Sequence, residues 1–327
     1  MMEIKENLKI SMGEADRVVL TTVMDNYSDV FLISSKVAGR WGPPDMVPGK
    51  SATYGHPAPL LAEHGFSLLI KAYKGDQVHT MLFDAGFTEM GVPHNLKKLG
   101  ININTIELIV ISHGHPDHTA AIPQILKAAE KPIPVYTHPS AFLKRYLIFP
   151  DGSRVLSNTL SQGIIKEAGA EIKLTKNPVQ ITPFAVVTGE IDMVNDFELH
   201  FPLAYYEQDG KMEKDFFVDE KGLFINLKNK GLIIIAGCSH RGIINTIEYA
   251  KKISGIDQVH AVIGGFHLTG ATPLEKVRRT VEEMKRIQPR FIIPTHCTGW
   301  NAIKTFADEM PHNFILNAVG TELLFNS

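Results

Sequence analysis

Cysteine is scarce in this chain. Its 327 residues include two, Cys238 and Cys297, so no disulfide framework can be built and one bridge at most is available. Long apolar runs are missing too. The longest, around Leu232 to Ala236, is strand-sized, well short of the roughly 18 residues of a membrane span. Neither sign of charge dominates: 33 Lys and Arg stand against 35 Asp and Glu, a net charge of -2. That balance argues against nucleic acid or a membrane surface as the main partner, while leaving room for a local basic pocket. The opening MMEIKENLKI lacks the apolar core and small-residue cleavage site of a secretory signal. The expectation is a cytoplasmic protein with a small-molecule partner, its oligomeric state left open. No short-period repeat is visible.

What is present begins with 44% hydrophobic and 21% charged residues, enough for a substantial core. At about 150 residues per domain the length suggests two units, although one layered α/β domain can reach this size. Short β-rich runs alternate with helical patterns. Strands are expected at Val18 to Val23, Ser67 to Ala72, Val78 to Phe83, Leu108 to Ile111, Phe184 to Val187, Leu223 to Asn226, Leu232 to Ala236, Val259 to Ile263 and Phe291 to Pro294. Several are continuously apolar, as strands covered on both faces are. Helices are expected at Val92 to Leu99, Ile122 to Glu130, Thr159 to Ala168, Ile243 to Ile253 and Leu274 to Ile287, the last opened by a capping signature at Thr272, Pro273 and Glu275. Arg40 to Glu63, rich in Gly and Pro, reads as a long loop. Residues 139–230 read as irregular, with turns at Asp151-Gly152 and Asp209-Gly210, crossing loops and an edge hairpin.

Fourteen histidines are present, and their placement is informative. The segment ELIVISHGHPDHTAAIPQIL, residues 107–126, reads as strand, tight turn and helix, and the turn carries His113, His115, Asp117 and His118. Four potential ligands on six consecutive residues cannot all face one ion, but they can serve two set side by side. His113 and His115 can approach one; Asp117 and His118 turn towards a second. Nitrogen and oxygen donors of this kind suit two divalent ions of the Zn, Mn or Fe type, Zn first, rather than Ca or Mg.

This segment resembles the metallo-β-lactamase superfamily, whose hallmark is His-x-His-x-Asp-His after a buried strand. The resemblance implies a single domain over residues 1–327 with a four-layer αββα sandwich, its metals at one rim of the two sheets. Upstream, TMLFDAGF places Asp84 where an acidic residue supports the metal site. Downstream, GLIIIAGCSHRGIINTI has Gly237-Cys238 where most of the superfamily has Gly-Asp with a bridging aspartate. His240, two residues on, is the preferred replacement ligand, with Cys238 a second candidate. Where the isolated third-motif histidine is expected, VVTGEID offers Glu190, which is either a ligand or structural. RFIIPTHCTGW presents His296 as the last ligand.

Further segments, AEHGFSLLI, VVTGEI, AGCSHRGIINTI, GGFHL and THCTG, resemble one branch of that superfamily, the 7,8-dihydropterin-6-yl-methyl-4-(β-D-ribofuranosyl)aminobenzene 5'-phosphate synthase-like proteins. This implies a dinuclear metal enzyme acting on a phosphorylated or pterin-type small molecule, by transfer or by hydrolysis of an ester, lactone or phosphodiester. Asp117 and Asp84 are then candidates to orient water or carry a proton, while His64, His267 and Arg241 are candidates for substrate binding. A di-iron redox protein of the same fold usually has a glutamate where His115 stands, and a nuclease would need more positive charge. A non-catalytic metal-binding module is the remaining alternative.

Overall fold

The computed structural model describes residues 9–41, 59–157, 160–199 and 201–327. The first half of the chain forms β1 (Arg17–Met24), β2 (Ala38–Gly39), β3 (Ser67–Lys74), β4 (Gln77–Phe83), α1 (Gly91–Lys98), β5 (Leu108–Val110), α2 (Pro116–Thr119), α3 (Ile122–Ala128), β6 (Ile133–Thr137), β7 (Lys144–Ile148), β8 (Arg154–Ser157) and α4 (Gln162–Glu167). The second half forms β9 (Ala170–Leu174), β10 (Val179–Thr182), β11 (Ala185–Val187), β12 (Ala204–Gln208), β13 (Lys211–Lys214), β14 (Gly222–Leu227), β15 (Gly231–Ala236), α5 (Ile243–Ser254), β16 (Val259–Gly265), α6 (Leu274–Ile287), β17 (Phe291–Thr295), α7 (Trp300–Glu309) and β18 (Glu322–Asn326).

Two large sheets face each other. One has the order β2-β18-β1-β3-β4-β5-β6-β9 and the other β10-β11-β14-β15-β16-β17. The period-2 alternation of side chains explains the continuous apolar runs. On β15, Ile233 and Ile235 enter the core between the sheets, whereas Leu232, Ile234 and Ala236 face outward onto α5, α6 and α7. On β5, Leu108 and Val110 point between the sheets while Ile109 packs outward with Val92 and Leu96 of α1 and Ile122 and Ile125 of α3. Helices therefore cover both outer faces, and the architecture is an αββα sandwich.

The nine expected strands are present with ends shifted by one or two residues. The five expected helices are present as well, although the Thr159 start of the third lies outside the described residues. The capping expectation at Thr272 fails: α6 is capped at Pro273 without a side-chain bond, and the Thr272 hydroxyl instead donates to the Thr269 carbonyl. The region 139–230 is more regular than expected. Two hairpins, β7-β8 and β12-β13, pair through β7 and β12 into a separate four-stranded sheet ordered β13-β12-β7-β8. Their strands are half exposed and polar, so no apolar run announces them. Of the expected 40–63 loop, residues 42–58 lie outside the described residues.

Candidate metal centre

β4 and β5 run parallel in one sheet, and β15, β16 and β17 run parallel in the other. Their carboxyl ends deliver Asp84, the His113–His118 turn, Cys238 to His240, His267 and His296 to one rim of the sandwich. Four of these exits leave a non-glycine residue in the left-handed region: Asp84 (φ 58°), Ser239 (57°), His267 (47°) and His296 (49°). Each such residue costs about 1 kcal/mol or more, so the packing at this rim over-determines the backbone.

The side chains converge in two groups. His113, His115 and His240 form the first; Asp117, His118, Cys238 and His296 form the second, and within each the candidate donor atoms all lie within 4.8 Å of one another. In the first group His113 Nε2 and His115 Nδ1 are 2.9 Å apart. In the second, Cys238 Sγ lies 3.1 Å from His118 Nε2 and 3.4 Å from His296 Nε2, and Asp117 Oδ2 lies 3.3 Å from His296 Nε2. The rings of His113 and His118 are 4.3 Å apart by centroid, which sets the groups side by side.

A partner behind each of four imidazoles fixes the outward nitrogen. Asp84, fully buried, has Oδ2 at 2.7 Å from His118 Nδ1 and also takes bonds from the Ser112 amide and hydroxyl. Glu220 Oε1 is 3.2 Å from His240 Nδ1 and accepts the His240 amide. Asn26 Oδ1 is 3.3 Å from His296 Nδ1, and Ser112 Oγ is 2.9 Å from His113 Nδ1. Metal-ligating histidines are held in this way, each by its second nitrogen.

The donor set is chemically ready for cations. Burial, reinforced by neighbouring histidines, holds His113, His115 and His240 below the usual imidazole range, His240 down to about 3. They are therefore neutral, as ligands must be. Burial pushes the Asp117 carboxyl up, but His118 and His296 outweigh it and keep it ionised. Burial likewise opposes charge on His118, yet Asp117 and Asp84 together raise it to about 9. Without a metal, a proton on His118 supplies the positive charge that these two carboxylates call for. Two imidazole-rich groups, one with a carboxylate and a thiol, fit divalent ions of borderline softness.

A family model described as the metallo-beta-lactamase superfamily matches residues 63–200. Over 265 residues the chain is 35% identical to the 7,8-dihydropterin-6-methyl-4-(beta-D-ribofuranosyl)-aminobenzene-5'-phosphate synthase of Methanocaldococcus jannaschii, covering 80% of this chain and 89% of that protein. The chain belongs to the metallo-β-lactamase superfamily. An uncharacterized protein of the same organism is 32% identical over 263 residues, covering 80% of this chain and 93% of its own length. Among solved structures, Tm1679, described as a metal-dependent hydrolase of the beta-lactamase superfamily, superposes with a TM-score of 0.73 at 22% identity, covering 95% of this chain and 100% of that one. This last likeness speaks to the fold.

Against the superfamily pattern, a single loop carries the candidates for both the third-motif histidine and the bridging aspartate. His240 stands with His113 and His115, and Cys238 stands with Asp117, His118 and His296. By sequence the two are alternatives for one place; in the structure they stand in different groups. Glu190 joins neither: 44% exposed, it pairs with His138 Nε2 at 3.2 Å. Asp84, a candidate to carry protons, has its carboxylate occupied by His118 and Ser112, which makes it a positioning residue. Arg241, a candidate for substrate binding, turns three of its guanidinium N–H groups onto the carbonyls of Ile191 and Phe216.

His267 does border the first group, its ring centroid 4.5 Å from that of His240, and its buried Nδ1 has no hydrogen-bond partner among the described residues. His64 lies at the lip of the second group, 59% exposed, with Nε2 3.8 Å from Asp117 Oδ2 and its ring stacked on His296. Sequence reasoning missed Glu220, Asn26 and the pair Arg145 and Asp219. Glu220 and Asp219 stand in the stretch DEKG before an apolar strand, where two adjacent acids look like a solvated turn; only their burial, 2% and 0% exposed, marks them out.

Proposed function

We propose that this protein is a dinuclear metal-dependent enzyme, with zinc as the metal, that acts on a phosphorylated or pterin-type small molecule in the manner of the synthase it resembles. The observation that carries this is the pair of adjacent ligand groups, His113, His115 and His240 beside Asp117, His118, Cys238 and His296, on a chain 35% identical to that synthase. Bound there, divalent ions would supply Lewis acidity and positive charge for phosphate or developing oxyanion groups.

The chain's own residues set the rest of the chemistry. Asp84, Glu220 and Asn26 hold His118, His240 and His296 in fixed orientations, so that the donors need no rearrangement. Asp117, only 15% exposed and ionised, can orient a reacting group at Oδ2, and His64 beside it can exchange a proton with solvent at Nε2. The neutral His267 next to His240 offers a ring nitrogen to the substrate. A cytoplasmic location and a small-molecule partner are part of the same proposal.

The test supplies zinc-loaded protein with a pterin-methyl diphosphate and a 4-(β-D-ribofuranosyl)aminobenzene 5'-phosphate acceptor and follows the coupled product by mass spectrometry. Coupling that disappears in His115→Ala/His118→Ala supports the synthase. Absence of coupling together with metal-dependent cleavage of an ester, lactone or phosphodiester would move the assignment to a hydrolase. Turnover that survives the double substitution in metal-free buffer sinks both.

A further inference from the structure

The four-stranded outer sheet carries a buried arginine whose two carboxylate partners reach the metal motif. Arg145, on β7, is 3% exposed; its Nε donates to Asp215 Oδ2 at 2.6 Å and its Nη2 lies 2.7 Å from Asp219 Oδ1. The second oxygen of Asp219 accepts the amide of Gly114 at 3.0 Å, and Gly114 is the residue between His113 and His115. That glycine is sealed: a Cβ there would come within 1.9 Å of the Ala141 carbonyl oxygen and 2.8 Å of Arg145 Nη1. The next residue, Glu220, accepts the amides of His240 and Arg241 and bonds His240 Nδ1. One short segment, 215–220, thus touches the backbone or ring environment of all three members of the first ligand group. Asp84 and Asn26 bond His118 and His296 of the second group directly, and Asp84 reaches the first group only through Ser112, whose hydroxyl lies behind His113.

A buried arginine between two carboxylates is a costly device. Desolvating three charges is repaid only where the geometry is well satisfied, and an apolar substitute would often be at least as stable. Arg145 Nη1 has no hydrogen-bond partner among the described residues, so the arrangement is not tuned for stability alone. We infer that Arg145 is a positioning residue for the first metal group: by drawing Asp215 and Asp219 inward from the outer sheet, it sets the His113-Gly114-His115 turn and, through Glu220, His240, independently of the second group. This rests on the two-ion reading of the site.

The experiment uses the full chain reconstituted with zinc and measures ions per chain by elemental analysis, together with the affinity of each by chelator competition. Arg145→Met is expected to weaken one ion by about 10- to 100-fold and leave the other within about threefold of wild type. Because Arg145→Met strands two buried carboxylates, the neutralised triple variant Arg145→Met/Asp215→Asn/Asp219→Asn is measured alongside, with folding checked by circular dichroism. His240→Ala identifies which ion belongs to the first group. Two ions held with wild-type affinities in a folded variant overturn the inference, and so does an equal weakening of both, which is what a general structural role would produce. Wild-type protein that binds a single ion overturns the two-ion reading as well; two ions in wild type and two at unchanged affinities in the variants overturn the inference alone.

Discussion

Cys238 Sγ lies 3.1 Å from His118 Nε2, so a thiol sits where most of the superfamily places a carboxylate. Burial, with Cys297 beside it, pushes the free thiol well above its usual range, and ligation by the thiolate requires a cation to offset that. Cys238→Ala is expected to lose the sulfur-to-metal charge-transfer band of the cobalt-substituted protein and to weaken one ion by at least about tenfold. Cys238→Asp should restore the affinity but not the band. An unchanged band in Cys238→Ala would remove sulfur from the ligand set.

Metal-free protein should show a domed dependence of stability on pH. The folded-state values of His240 and His267 fall to about 3 through burial and the neighbouring histidines. A depressed histidine contributes stability above its unfolded value, near 6.5, which is lost as pH falls from there towards 3. His118 is the opposite case. Raised to about 9 by Asp117 and Asp84, its contribution is complete below about 6.5 and disappears as pH rises through about 9. Denaturant midpoints measured in chelator across this range test both limbs, and a midpoint flat from pH 4 to 9, roughly the window these values span, would contradict them.

Metal binding should then release protons. Between the unfolded and folded values of His118 the site holds a proton on that imidazole which a cation must displace, and the Cys238 thiol holds another. Calorimetric titration with zinc at pH 7.5, in buffers of different ionisation enthalpy, is expected to show release of about one proton or more per chain. His118→Ala should lower that number.

Gly237 has no space for a side chain. A Cβ there would stand 2.3 Å from Ser112 Oγ and 2.6 Å from Ser112 Cβ, so the rims of the two sheets meet at this position. Gly237→Ala is expected to cost about 1–3 kcal/mol, read as a lower denaturation midpoint with unchanged slope.

Arg241→Ala tests the reassignment of that residue. Its guanidinium ties down the Ile191 and Phe216 carbonyls, so the variant should lose about 1–3 kcal/mol of stability while KM for an anionic substrate stays within about twofold. A large rise in KM with stability unchanged would return Arg241 to the substrate.

Much of this protein is local in origin and therefore legible in the chain. The nine apolar strands are legible because burial on both faces leaves a continuous run, and His113, His115, Asp117 and His118 because a single turn after β5 carries them. The roles of His296 and Asp84 come from the resemblance to the superfamily, each residue standing at the end of a legible strand. The outer sheet escaped because half-exposed strands such as Lys144–Ile148 and Lys211–Lys214 lack a decisive pattern. The assignment of His240 to one group and Cys238 to the other depends on where β15 ends relative to β5, in a different sheet. Arg145, Asp219 and Glu220 are ordinary surface residues by type, and they matter because the fold buries them against Gly114 and His240. Sequence determined which donors are available, at which strand ends they emerge, and that His113 and His115 part from Asp117 and His118 within one turn; tertiary packing decided which group His240, Cys238 and His296 join and how the rings are held, since both depend on contacts between residues distant along the chain.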